Sequence, residues 1–151
     1  MMNKEEKYQL LTEQIRALTA GETDLVAKMA NVAAAIHEEM GFFWTGFYRV
    51  VGEELILGPF QGPVACMHIP FGRGVCGSAW KQRTTLVVPD VEKFPGHIAC
   101  SSLSRSEIVV PVFSPDGEIV AVLDIDSKEL GTFDEIDRQH LEIICQLLFT
   151  S

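Results

Sequence analysis

The sequence predicts an α+β fold in which helices at both ends of the chain flank a central antiparallel sheet. Apolar residues recur at helical spacing up to residue 40 and again from residue 133, whereas the stretch between them alternates in short runs separated by turn residues. The 151 residues, 47% of them hydrophobic, suffice for one domain with its own core and leave little room for two. We therefore predict a single domain over residues 1–151.

Two helices are predicted in the N-terminal third of the chain. Their apolar residues stand at helical spacing: Leu10, Leu11, Ile15 and Leu18 in the first, and Leu25, Met29, Val32, Ile36 and Met40 in the second. Thr23 is the predicted N-cap of the second helix, and Gly41 is the residue that ends it.

Strands dominate the next part of the chain. Residues 42–51 and 54–57 are predicted to form a hairpin, and residues 66–70 a short strand. A short helix is predicted over 74–81 and a strand over 85–88, after which a loop rich in proline and glycine follows.

The C-terminal third contains the clearest signals. Strands are predicted over 107–113 and 118–126, joined by a Ser-Pro-Asp-Gly turn. The last helix is predicted over 133–148, with Thr132 and Glu135 as a capping box at its start.

Charge and hydropathy exclude several classes of function. The net charge of −9 disfavours a nucleic-acid partner, which would need a basic face. No stretch approaches eighteen apolar residues, so we expect no membrane span. The charged start MMNKEEKYQL lacks the apolar region of a signal peptide. We therefore expect a cytoplasmic protein whose thiols are reduced at rest.

The spacing of the cysteines disfavours a zinc site, and the expected compartment disfavours a disulfide framework. No C-x-x-C pair is present, and structural disulfides are rare in a reducing compartment. Cys145 has apolar helical neighbours and is interpreted as core. Cys66, Cys76 and Cys100 remain open between packing and redox chemistry. Cys76 stands at a predicted helix start, where free amides would stabilise a thiolate, but its flanking glycines equally fit close packing. His97 is three residues from Cys100 and would lower the pKa of its thiol if the two side chains lie close. The alternative is a turn-stabilising or exposed His97.

Acidic and aromatic residues suggest a pocket. Strand alternation places Asp124 and Asp126 on one face, and Glu107 begins the preceding strand. Like charges this close repel, so the group is either a solvated sheet face or a pocket for a cation. A ligand with an ammonium group fits this pocket better than an oxygen-ligated metal ion. Trp44 and Tyr48 belong either to the core or to one wall of such a pocket.

Several motifs together resemble free methionine-R-sulfoxide reductase, a family of GAF-domain enzymes. The resemblance covers nearly the whole chain from about residue 44. It rests on the spacing of Cys66 and Cys76 and on five motifs: GPFQG at 58–62, VPDV at 88–91, PGHIAC at 95–100, SEIVVP at 106–111 and LDIDS at 123–127.

This resemblance implies a GAF-like fold and roles for individual residues. Cys100 would be the nucleophile and Cys66 the resolving thiol that forms a disulfide with it, while the role of Cys76 stays open. The residues implied to line the substrate pocket are Trp44, Tyr48, Glu107, Asp124 and Asp126. Ser101 departs from the family pattern, in which an aspartate follows the loop cysteine.

The resemblance also implies partners. The expected substrate is free methionine-R-sulfoxide, reduced without a metal or organic cofactor, and the expected reductant is of the thioredoxin type. A homodimer is expected. The alternatives are a non-catalytic GAF sensor of a small molecule and a thiol-based redox sensor.

Overall fold

The computed structural model describes residues 1–98 and 100–150 and confirms the α+β class. Within the described residues, four helices and six strands follow in chain order: α1 (Lys4–Thr19), α2 (Leu25–Met40), β1 (Trp44–Val51), β2 (Glu54–Gln61), β3 (His68–Pro70), α3 (Gly74–Gln82), β4 (Leu86–Val88), β5 (Ser106–Phe113), β6 (Ile119–Ser127) and α4 (Glu135–Gln146). A short 3₁₀ turn over Val91–Lys93 follows β4.

The strands form one antiparallel sheet in the order β3-β2-β1-β6-β5-β4. Helices α1, α2 and α4 cover one face, where their apolar side chains join those of β1, β5 and β6 in the larger core cluster. Helix α3 and the loops after β2 and β4 cover the other face around a smaller cluster. The terminal helices therefore share one face, and the second face is left for a site.

Strand β6 has the predicted alternation. Leu123 and Ile125 are fully buried in the larger cluster, beneath α2 and α4. Asp124 and Asp126 point to the opposite face, because successive side chains of a strand leave on opposite sides.

Two predicted helix starts are wrong by one or two residues. Asp24, rather than Thr23, caps α2, and its carboxylate accepts a hydrogen bond from the Ala27 N–H at 2.9 Å. The capping box of α4 consists of Asp134 and Asp137 rather than Thr132 and Glu135. The Thr132 hydroxyl instead contacts Ser127 Oγ at 2.6 Å, which ties it to the end of β6. Gly41 ends α2 in the left-handed conformation, as predicted.

The predicted strand at 66–70 is shorter, because Cys66 belongs to a loop and pairing with β2 begins at His68. Strand β2 is longer than predicted and reaches Gln61, opposite Thr45 of β1. In the described part of the chain, every helix is too short or too polar to cross a membrane.

Candidate active site

The carboxylates meet where the three central strands run side by side. Asp126 of β6 stands opposite Glu107 of β5 on one side and Trp44 of β1 on the other. Asp124 lies opposite Gly46 of β1. The sheet register therefore gathers three acidic side chains on the face that α3 covers.

These acids are withdrawn from solvent, and within residues 1–98 and 100–150 no lysine or arginine forms a salt bridge with them. Glu107 and Asp124 are each 6% exposed, and Asp126 is half-buried. Asp124 Oδ1 is fully buried and has no hydrogen-bond partner. Because a buried unpaired carboxylate oxygen is costly, this atom marks the place where a donor would be most strongly bound.

Burial raises the pKa of all three acids. The pKa of Glu107 is raised well above its ordinary value by loss of solvent and by repulsion from Asp124 and Asp126. The pKa of Asp126 is raised for the same two reasons, with Asp124 as the repelling charge, and that of Asp124 mainly by burial. The group therefore retains protons at a pH where free carboxyls have lost them.

Cys66 and Cys100 form a disulfide beside this cluster. Their Cα atoms lie 5.4 Å apart, although 34 positions separate them in the sequence. Cys66 comes from the loop between β2 and β3, and Cys100 from the loop before β5. Both are half-buried, so the bond lies at the boundary between the pocket and solvent.

The other two cysteines are free and buried. Cys76, in the first turn of α3, is 4% exposed, and its thiol faces Glu107 Oε2 at 3.9 Å. Burial and the charges of Asp124 and Glu107 raise its pKa well above the ordinary value. Burial and the neighbouring acids therefore oppose the stabilisation of a Cys76 thiolate by the amides at the helix start. Cys145 is core, as predicted.

Trp44 and Tyr48 form a stacked wall with ring centroids 5.9 Å apart. The Trp44 indole N–H donates to the Pro63 carbonyl, and the Tyr48 hydroxyl to the Cys66 carbonyl, each at 2.9 Å. Gly46 has no side chain because the Trp44 ring occupies that space: a Cβ there would lie 2.6 Å from the ring and would also collide with Phe60. The wall thus holds the loop that carries Cys66.

A cavity of about 570 Å³, including its open mouth, joins these groups. It is lined by all but one of the predicted site residues, namely Trp44, Tyr48, Cys76, Cys100, Glu107, Asp124 and Asp126. Cys66 does not line it but is bonded to Cys100, which does. The structure therefore brings all eight predicted residues to one site.

Two cationic or basic residues of the cavity wall were not among the predicted site residues. Arg73 is the N-cap of α3 and lines the cavity together with Gly74 and Val75. His97 Nε2 lies 4.0 Å from Glu107 Oε1, and burial lowers the pKa of its ring, so the prediction that it assists Cys100 by charge is not supported. The glycine that follows Arg73 in the sequence was the available signal for a ligand near the helix start.

Comparison with known proteins agrees with this architecture. A GAF domain family model matches residues 19–148. The chain is 58% identical to GAF domain-containing protein A of Dictyostelium discoideum, over 97% of this chain and 92% of the relative. It is 45% identical to a free methionine-R-sulfoxide reductase of Escherichia coli, over 97% of this chain and 89% of the relative.

A solved structure is also similar to this chain in both sequence and fold. The free methionine-R-sulfoxide reductase of Neisseria meningitidis, in complex with its substrate, superposes with a TM-score of 0.95 at 53% identity, over 98% of this chain and 89% of that one. The fold and the site thus define a GAF domain. The chain belongs to the GAF-domain family, in the group of free methionine-R-sulfoxide reductases.

Proposed function

We propose that this chain reduces free methionine-R-sulfoxide to methionine with its own thiols. The observation that carries the proposal is a two-cysteine redox pair next to a pocket of three acids, one of which has a buried oxygen without a hydrogen-bond partner among the described residues. Relatives of closely similar sequence bear the name of this activity. The pocket supplies what such a substrate needs: a place for an ammonium group, a proton donor and a thiol.

The ammonium group of the substrate is assigned to Asp124 and Asp126. Asp124 Oδ1 has no donor in the free protein, and an ammonium has three N–H groups to offer. Binding a cation here also relieves the repulsion between the neighbouring carboxylates. Substrate binding is therefore expected to stabilise the protein by more than its contact area alone suggests.

The substrate carboxylate is assigned to the start of α3. Arg73 caps this helix without a side-chain hydrogen bond, so the first amides of the helix are not satisfied by a cap. These amides and the Arg73 guanidinium both favour an anion on the wall opposite the acids. A peptide-bound methionine sulfoxide has neither a free ammonium nor a free carboxylate, so it could pair neither with the acids nor with the start of α3.

Glu107 is assigned the proton donor, since burial and the neighbouring acids raise its pKa and favour its protonated form. Its proton polarises the sulfoxide oxygen while the Cys100 sulfur attacks the substrate sulfur. This attack forms an S–S bond between Cys100 and the substrate. The hydroxyl group then moves from the substrate sulfur to the Cys100 sulfur as that S–S bond and the sulfoxide S–O bond break, which restores the lone pair of methionine and leaves Cys100 as a sulfenic acid. The proton of the Cys100 thiol returns to Glu107, so the step is balanced.

Cys66 then completes the cycle. Its thiol condenses with the sulfenic acid of Cys100, forming the disulfide and releasing one water. A thioredoxin-type dithiol reduces that bond by exchange and is itself oxidised to a disulfide. The proposed cycle uses no metal or organic cofactor. We propose that it operates in the cytoplasm, in a homodimer.

The direct test measures methionine released from four substrates: the R and S epimers of methionine sulfoxide, each free and within a peptide, with dithiothreitol or thioredoxin as reductant. The expected result is catalytic release from the free R epimer alone. Binding without release would contradict the proposal and favour a GAF-domain sensor. Equal turnover of the peptide would contradict the assignment of the two charged ends.

A further inference from the structure

The same cavity holds a second arrangement of donor atoms that the reduction does not use. The Cys76 sulfur, a Glu107 oxygen and an Asp124 oxygen all lie within 4.8 Å of one another, and all three side chains are buried. In the proposed cycle Cys76 has no part, since the disulfide joins the other two thiols of the site. A buried thiol among buried carboxylates therefore calls for its own explanation.

The separation of the sulfur from the Glu107 oxygen is close to that required by a tetrahedral zinc ion. Zinc bonds of about 2.3 Å to sulfur and about 2.0–2.2 Å to oxygen, at a tetrahedral angle, require a sulfur-to-oxygen separation of about 3.6 Å. The observed separation between Cys76 Sγ and Glu107 Oε2 is 3.9 Å. A movement of a few tenths of an ångström would bring the sulfur and the oxygen to the separation that a tetrahedral ion requires.

A further observation points to a ligand at this place. Asp124 lines the cavity and is 6% exposed, and its Oδ1 atom has no hydrogen-bond partner among the described residues. His97 lines the same cavity, with Nε2 4.0 Å from Glu107 Oε1, but it does not belong to this group of three donor atoms. Thiolate and carboxylate are both ligand types that zinc accepts.

We propose that this pocket binds a thiophilic divalent cation, with Zn²⁺ as the fitting ion, through Cys76, Glu107 and Asp124. Coordination forms a metal–sulfur bond and releases the Cys76 thiol proton to solvent. Mg²⁺ and Ca²⁺ bind poorly, because they require six or more oxygen ligands and the site includes a sulfur. The ion occupies the carboxylates assigned to the substrate ammonium, so cation and substrate exclude each other.

Binding of the ion is independent of the proposed function, and only the exclusion of substrate rests on it. The test uses the protein with its disulfide intact, in which Cys66 and Cys100 are no longer available as ligands. Co²⁺, added alone as a spectroscopic substitute for Zn²⁺, is expected to give a thiolate-to-cobalt charge-transfer band that Zn²⁺ removes and Mg²⁺ does not.

Three variants locate the band. Cys145→Ser, which changes the other free and buried thiol, is the matched control and should keep it. Cys76→Ser should lose it. Asp124→Asn leaves the thiol in place and should weaken Co²⁺ binding by more than about tenfold, since loss of even an outer partner of a metal ligand costs about 10- to 100-fold in affinity.

Absence of the band in the wild-type protein, or its retention in Cys76→Ser, would overturn the metal site. If Cys76→Ser does not fold, undiminished binding by Asp124→Asn overturns it equally. Free methionine sulfoxide should displace the Co²⁺. A band that the amino acid leaves unchanged would retain the metal site and contradict the substrate position assigned under the proposed function.

Discussion

Asp124→Asn is expected to make the substrate-free protein more stable. Asp124 is buried with one carboxylate oxygen unpartnered, close to two further acids. Leaving a buried polar group unsatisfied costs about 1–3 kcal/mol, and the amide removes the charge at nearly constant volume. For 151 residues the entropy of unfolding is about 0.3 kcal/mol/K, so this gain raises Tm by about 3–9 °C.

The gain depends on pH with a definite sign. Because the pKa of each of these acids is raised on folding, the folded state binds more protons than the unfolded state above about pH 4. The free energy of unfolding of the wild type therefore falls as pH rises from there toward the raised values. The Tm advantage of Asp124→Asn should be small near about pH 4.5 and larger near about pH 7.5.

The measurement is thermal unfolding of both proteins at these two pH values, with the disulfide kept intact. Asp137→Asn is the contrasting control, because Asp137 is equally buried but accepts from Lys4 at 2.7 Å and from Tyr8 at 2.6 Å. It should lose about 2–3 kcal/mol. A lower Tm for Asp124→Asn at neutral pH would refute the reasoning. The same variant should also lose the rise in Tm that free methionine sulfoxide produces in the wild type.

Three further predictions concern the chemistry and the aromatic wall. Cys100→Ser should abolish methionine release, whereas Cys66→Ser should still release one methionine per chain but stop turnover with thioredoxin; unchanged recycling would point to a different resolving thiol. In the wild type, kcat/KM should fall as pH rises through the raised pKa of Glu107. The Glu107→Gln variant should lack this fall and should be slower by about 10²–10⁴-fold. If the variant retains the fall, the proton donor is another group. Gly46→Ala forces a methyl group into the Trp44 ring and should cost about 1–3 kcal/mol of stability by chemical denaturation; a neutral result would mean that the wall is not rigid.

Much of the fold could be predicted because local signals agree with tertiary packing. Helix α2 has apolar residues at the helical period and a glycine to end it, and both ends of the β5–β6 hairpin follow from alternation and turn residues. Helix starts were less predictable, because several hydroxyl and acidic residues there compete for the same amides. Thr132 is a good capping residue by type, but its hydroxyl contacts Ser127, which is adjacent only in the folded chain.

The site residues were predictable by type and motif, whereas their electrostatics were not. The sequence shows that Cys76 stands at a helix start, which favours a thiolate. It does not show that two buried acids lie beside the thiol and reverse that preference. Those acids come from β5 and β6, so their distance from the thiol depends on how α3 packs on the sheet. The unpartnered oxygen of Asp124 is likewise a property of the packed pocket alone.

Because the side chains of β6 alternate between the core and the active site, an insertion in this strand would change the active site. Leu123 and Ile125 fix the register of the strand through the larger core cluster, and this register also sets the positions of the acids on the other face. One residue inserted within the first half of β6 would send the carboxylates into the hydrocarbon side and the aliphatic side chains into the pocket. The same insertion in the tight turn before it would leave the pairing of Glu107 with Asp126 intact. A one-residue insertion should therefore be tolerated at the tip of this hairpin and should disrupt the active site when it falls within the strand.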